Sequence, residues 1–208
     1  MPLIRKDRDQ PAPAPTAAPD LATALASGEP DARWAAARAL AGSVENAELL
    51  GRALQSETDP RVREAIFTSL ARIGTAASVE AVAPWLRSDE AELRTAALDA
   101  LRAMPHAAGE RLPALLGDPD PDVRLLACEI ARALPGPAAG VLLCTLLETE
   151  PEPNVCAAAI EVLAEIGGPD ALPALARCKG RFADQPFLAF SVAVAAERIG
   201  VGGGRLRG

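Results

Sequence analysis

The sequence predicts an all-α chain, an α-solenoid (superhelix) in which six helical hairpins stack side by side. Three observations lead there. Half of the 208 residues are hydrophobic, yet aromatics make up only 3% and Tyr is absent, so helices must meet through small side chains at close approach. Apolar residues follow a helical spacing from Asp20 to about Gly200. Within that span one pattern returns six times at a nearly constant interval, the signature of a repeat architecture.

Taken in order, residues 1–19 hold Pro11, Pro13, Pro15 and Pro19 beside the charged run Arg5 to Asp9. Such a segment neither sustains a helix nor buries apolar area, and reads as a flexible Pro-rich tail. Residues 20–200 form the repeat domain, with copies at about 20–43, 44–74, 75–104, 105–135, 136–167 and 168–200; residues 201–208 read as a flexible Gly-rich tail. Each copy opens with a short apolar segment, such as DLATALAS or ENAELLGRALQ, and continues into a second helix. Between the two stand turn residues such as Gly28-Glu29-Pro30, Thr58-Asp59-Pro60 and Asp118-Pro119-Asp120-Pro121. Asp and Thr suit the cap there, and Pro the first helical turn. The sixth copy departs from the rest: GRFADQ lengthens its inner turn and Phe182, Phe187 and Phe190 gather in it, which suits a terminal cap.

The apolar residues that open the second helices are Ala32, Val62, Leu93, Val123, Val155 and Leu188, spaced by 30, 31, 30, 32 and 33. Four positions on come Ala36, Ile66, Ala97, Ala127, Ala159 and Val192; eight on come Leu40, Leu70, Leu101, Ala131, Leu163 and Ala196. Offsets of 0, 4, 8 and 11 mark one helical face, the predicted core. A single hairpin cannot hide that face, whereas a stack of hairpins buries it continuously.

The copy DPRVREAIFTSLARIG, with its Asp-Pro-x-Val-Arg opening and Ile-Gly close, resembles the short HEAT-like repeats named after phycobilisome lyases. The resemblance spans Asp20 to Gly200. It implies a HEAT-type solenoid whose second helices line the concave side, and a function among adaptors, assembly factors, scaffolds and subunits of bilin lyases. It also implies a structural role for Arg33, Arg63, Arg94 and Arg124, one residue past the anchor in the first four copies: a ladder of inter-repeat hydrogen bonds with acidic or turn residues close by, such as Asp31, Asp59, Glu92 and Asp122. Cys156 and Ala189 replace the arginine in copies five and six, so the ladder is expected to stop there and the C-terminal end to depend more on apolar packing.

No nucleophile, base or metal-ligating set converges in the sequence, which gives no catalytic, cofactor-binding or metal residues and a non-catalytic reading. His106 is read as a solvated residue of the Met104-Pro105-His106 turn. Cys128, Cys144, Cys156 and Cys178 lack Cys-x-x-Cys spacing and read as small apolar core residues in a reducing compartment; the arrangement leaves open an approach of Cys144 to Cys178, or of Cys128 to Cys156, across a repeat boundary. A net charge of −7 with Lys6 and Lys179 the only lysines disfavours nucleic acid as partner. The absence of a long apolar run disfavours a membrane, and the MPLIRKDRDQ start lacks a secretory core. The expected setting is therefore a cytoplasmic, bacterial-type protein, monomeric and without cofactor, that binds another protein.

Its surface follows from what the core leaves over. Positions two, six and nine past each anchor face solvent, and the residues expected to hold a partner on the concave face are Trp34, Arg38, Thr95, Asp99, Arg102, Leu125, Glu129, Arg132 and Phe190. Apolar anchors among interleaved charges are the mixture expected of a protein interface. The competing reading makes Trp34 and Phe190 covers for the two ends of the stack. A different class of function, bilin-lyase-like or other cofactor attachment, would place a chromophore or a cofactor-bearing client in the same groove. Pro2-Leu3-Ile4-Arg5-Lys6 is a further segment able to dock on a partner or fold back into the groove.

Overall fold

In the computed structural model the described backbone covers residues 20–134 and 137–205, with side chains described to residue 200. The tail 1–19, and the Pro2–Lys6 motif with it, lie outside the described residues. Twelve α-helices form among those described: α1 (Leu21–Ser27), α2 (Pro30–Leu40), α3 (Ala47–Ser56), α4 (Pro60–Ile73), α5 (Ala76–Val82), α6 (Ala91–Arg102), α7 (Pro105–Leu116), α8 (Pro121–Ala131), α9 (Ala138–Thr149), α10 (Pro153–Ile166), α11 (Leu172–Arg181) and α12 (Pro186–Arg205). They pair as six hairpins in chain order, and each hairpin packs on the next.

Local chemistry sets the helix starts. Pro30, Pro60, Pro121, Pro153 and Pro186 open five of the six second helices, where a missing N–H leaves no bond unmade. The Asp59 carboxylate accepts from the Arg61 and Val62 N–H groups, and Asp120 does the same for Asp122, satisfying orphan donors of the first turn. Helix α4 ends at Gly74, whose φ of 65° is the one positive value among the described residues and suits a residue without Cβ. In copy three Pro84 removes a donor, and α5 tightens into a 3-10 turn over Ala83–Arg87.

A continuous core runs from Leu25 to Ile199. All six residues four past the anchors are buried, and so are five of the anchors, Ala32 being the exposed one. Close approach is visible between α3 and α5, where a Cβ added at Gly51 would lie 2.8 Å from the Ala81 Cβ. Taken over the whole stack the second helices pack on one another more extensively than the first helices do, with α3 on α5 against α4 on α6 the exception; the face they form is called the inner side below.

Two boundaries differ from the sequence reading. Helix α7 starts at Pro105, so His106 is an exposed residue of its first turn rather than of a loop; Pro at the first helical position starts the helix early. The backbone of α12 continues to Arg205, past the expected end at Gly200, because neither Pro nor a left-handed cap residue intervenes to stop it.

Candidate protein-binding face

One edge of the stack is devoted to joining copies. The Arg33 guanidinium donates to both Glu57 carboxylate oxygens at 2.8 and 2.9 Å and to the Gly28 carbonyl at 2.8 Å. Arg124 repeats the arrangement with Glu150 (2.8 and 2.8 Å) and the Asp118 carbonyl (2.8 Å). Arg63 reaches the Glu57 carbonyl at 2.7 Å and Glu90 at 3.4 Å. Arg94 meets the carbonyls of Ser88 and Asp89 at 2.6 and 3.1 Å, while the acid of the following copy, Asp118, is taken by Arg87. Each arginine thus closes the C-terminal end of the first helix in its own copy, and three of the four also reach a carboxylate of the next.

The acids differ from those expected. Asp59 caps α4, Asp31 pairs with Arg61 at 3.2 Å, the Asp122 N–H is held by Asp120, and Glu92 has no ion pair among the described residues. Arg33, Arg63 and Arg124 find instead acids standing just after the first helix of the next copy, 24, 27 and 26 residues on. Glu57 and Glu150 are buried there and also accept N–H groups of their own turn. The Arg33 guanidinium, helped by the Asp59 and Thr58 N–H groups, holds the Glu57 carboxyl below its usual range against the opposing effect of burial.

The tie also continues past copy four. Cys156, at the arginine position, donates from Sγ to the Glu150 carbonyl at 3.6 Å, and Arg181 of α11 donates to the Leu147 and Glu150 carbonyls. A long side chain from the following copy thereby supplies the guanidinium missing at 156, where the ladder was expected to stop.

On the inner side, Trp34 is half-buried against the core and the Arg38 guanidinium lies 4.6 Å from its ring centroid, a cation–π contact. Both line a groove of about 390 Å³ between α2 and α4, with Arg61, Glu64, Thr68 and Arg72. A second groove of about 670 Å³ adjoins it between α4 and α6 and shares Glu64 and Thr68. Ala71, Ala96 and Ala100 floor it over buried Phe67, with exposed Ala91 and Ala103 at either end of α6; Glu64, Glu92, Thr95 and Asp99 rim it.

Four of the nine residues expected to hold a partner therefore line two neighbouring grooves: Trp34 and Arg38 in one, Thr95 and Asp99 in the other. Arg102, exposed at the end of α6, stands 4.0 Å from Asp99. Leu125 is half-buried and packs on the core. Arg132 is occupied within the protein, donating to Glu129 at 3.2 Å and to Glu165, with Glu161 in ion-pair range at 3.8 Å. Phe190 is 71% exposed on α12, the last helix of the stack, apart from both grooves. Glu64, Phe67, Arg72 and Glu92 also line the grooves and were not among the residues expected to hold a partner, Glu92 having been read as an acid beside the arginine ladder. Glu64 stands in the solvent row already, while Phe67 and Arg72 fall between the rows.

On the outer side, a cleft of about 700 Å³ lies between α3 and α5 over Trp85, and one of about 420 Å³ beside α9 and α11 around Val141 and Cys144. All four cysteines are free. Cys156 and Cys178 meet across the boundary of copies five and six, a second helix against a first, rather than either like-helix pair considered from sequence. Burial pushes the Cys128 thiol up to about 12 and raises Cys144 as well. No group of three or more His, Cys, Asp or Glu poised to hold a metal occurs among the described residues. None of their helices is long and apolar enough to cross a membrane.

A family model described as HEAT repeats matches residues 15–102 and 110–182. No curated protein matches the chain. Among solved structures, an engineered protein is 24% identical, with 88% of this chain and 96% of that one covered and a TM-score of 0.43. A designed armadillo repeat protein in complex with the peptide (KR)4 is 17% identical, over 86% and 98%, with a TM-score of 0.45. The complex of CpcE and CpcF of phycocyanin lyase from Nostoc sp. PCC7120 is 19% identical, over 94% and 100%, with a TM-score of 0.40. At these identities and TM-scores none of the three bears on what this chain binds.

Proposed function

This chain belongs to the HEAT-repeat family, and on that premise we propose that it is a non-catalytic scaffold or adaptor that holds another protein on the inner face of its stack. The observation that carries the reading is the pair of adjoining grooves. Half-buried Trp34 and the alanines of the second groove offer apolar area, and the rim charges Glu64, Arg72 and Glu92 have no ion pair among the described residues. A rim of unpaired charge around apolar anchors suits a partner with complementary charges. Arg102, Leu125, Glu129 and Phe190 extend the contact along the stack, and Arg132 serves by holding the acids around it. The proposed protein acts as a cytoplasmic monomer without cofactor, its net charge of −7 turning polyanions away.

Affinity capture from the native cell followed by mass spectrometry tests this, using the wild type, Trp34→Ala, Arg102→Glu and the outer-face variant Val141→Glu. The expected result is one client lost from the first two variants and kept by the third. Recovery of that client by all of them overturns the inner face as the binding surface, provided circular dichroism shows each variant folded.

A further inference from the structure

The two inner grooves carry opposite charge. Between α2 and α4 three guanidinium groups, Arg38, Arg61 and Arg72, stand against one carboxylate, Glu64. Of these, Arg61 is held by Asp31 at 3.2 Å and Arg38 lies over Trp34, which leaves the Arg38 N–H edges free to donate. Between α4 and α6 the charged residues lining the groove are Glu64, Glu92 and Asp99, without a cation; Arg102 approaches Asp99 only to 4.0 Å. Positive and negative subsites therefore follow one another along the stack, separated by one helix-to-helix step of about 8–10 Å.

Each groove has the volume of a small-molecule pocket, room for a few side chains rather than for a folded face. An extended chain advances about 3.3 Å per residue, so three residues span one step. An α-helix, about 10–12 Å across with its side chains, exceeds the helix-to-helix step of about 8–10 Å and would lie over the grooves rather than fill each in turn. The alanines lining the groove between α4 and α6 fit the methylene stem of a long basic side chain whose head reaches the carboxylates. We infer that the partner segment is an extended peptide carrying an acidic side chain for the Arg38/Arg72 groove and a basic one, three residues away, for the Glu92/Asp99 groove. This rests on the inner face being the binding surface and adds to it the order of charges that the surface reads.

Four labelled twelve-residue synthetic peptides supply the probe, measured by fluorescence anisotropy against the whole chain at low and at physiological salt. Two carry one Glu and one Lys three positions apart, in either order along the peptide; the other two replace that pair by two Glu or by two Lys. The expected result is that one mixed peptide binds about tenfold tighter than the other three and weakens as salt is raised, since the reversed order places like charges together. The double variant Arg72→Glu with Glu92→Arg should transfer the preference to the opposite mixed peptide. Equal binding of the two mixed orders, tightest binding of a single-sign peptide, or absence of binding by all four overturns the inference. If that happens while Trp34→Ala and Arg102→Glu still lose their client, the inner face survives and only its charge order falls. Retention of the client by both variants removes the surface itself.

Discussion

Removing the Arg124 side chain should uncouple the C-terminal copies from the rest of the stack. Arg124 and Glu150 form a two-pronged bond at 2.8 Å, with 11% and 1% of their side chains exposed. Arg124→Ala leaves the Glu150 carboxylate buried opposite no cation, and breaking a buried pair by deleting one partner costs about 3–5 kcal/mol. Because copies lean only on neighbours, the loss falls on the interface between copies four and five. Both tryptophans, Trp34 and Trp85, lie in copies one and three, so their fluorescence reports the N-terminal half while circular dichroism at 222 nm reports every helix. In urea, with a slope of about 2 kcal/mol/M, the dichroism midpoint should drop by about 1.5–2.5 M and the fluorescence midpoint by much less. Coincident transitions in the variant, with a loss below about 1 kcal/mol, would refute the idea that this bond couples the copies. Arg52→Ala is the control: its pairing with Glu48 is 3.8 Å long and 68% and 77% exposed, and should cost no more than about 0.5 kcal/mol.

Two further outcomes follow from the same packing. Glu57 has a folded-state value below the ordinary carboxylate value of about 4.3, so the folded chain binds fewer protons than the unfolded one; its contribution is whole above that value and disappears as pH falls through the depressed one. Thermal melts from about pH 6 to pH 3 should therefore fall more steeply for the wild type than for Glu57→Gln, and equal slopes would contradict the bond to Arg33. With a maleimide at about pH 8, where exposed thiols begin to ionise, intact mass should show Cys144 labelled first, since Cys128, Cys156 and Cys178 are buried. Fast labelling of Cys128 in the native protein would mean that copy four opens far more readily than its packing implies.

The fold was legible because a solenoid writes its long-range contacts as a local pattern. Every buried residue four past an anchor, from Ala36 to Val192, was found by spacing alone, since each faces its neighbour in the same way. The polar ties were less legible. Arg33, Arg63, Arg94 and Arg124 stand out by position, but their carboxylate partners Glu57, Glu90 and Glu150 sit 24 to 27 residues on, and only the turn geometry shows that they come close. Arg181 is invisible as a substitute because it comes from a different helix of a different copy. The grooves were half legible for a similar reason: a row of solvent-facing positions gives one wall, while Phe67, Glu92 and Arg72 belong to the space between two helices.

That division has a consequence for where a partner can sit. The arginine ties lie along the turn edge, and the core fills the faces between hairpins, so the inner rows are free of structural duty unless they pair with one another. They do so in copies four and five, where Arg132 draws in Glu129, Glu161 and Glu165. A partner docking there must first break ion pairs that a 21% exposed guanidinium already satisfies, whereas over copies one to three Glu64, Arg72 and Glu92 have no such pairs among the described residues to give up. Desolvating a charge costs less when a partner's opposite charge replaces water than when it must also displace an existing bond. The first three copies are therefore where binding gains most from charge. On this argument Arg132→Ala should weaken the stack without altering which client is held, and Arg72→Glu should alter the client without weakening the stack, as read by urea unfolding and affinity capture on the same two variants.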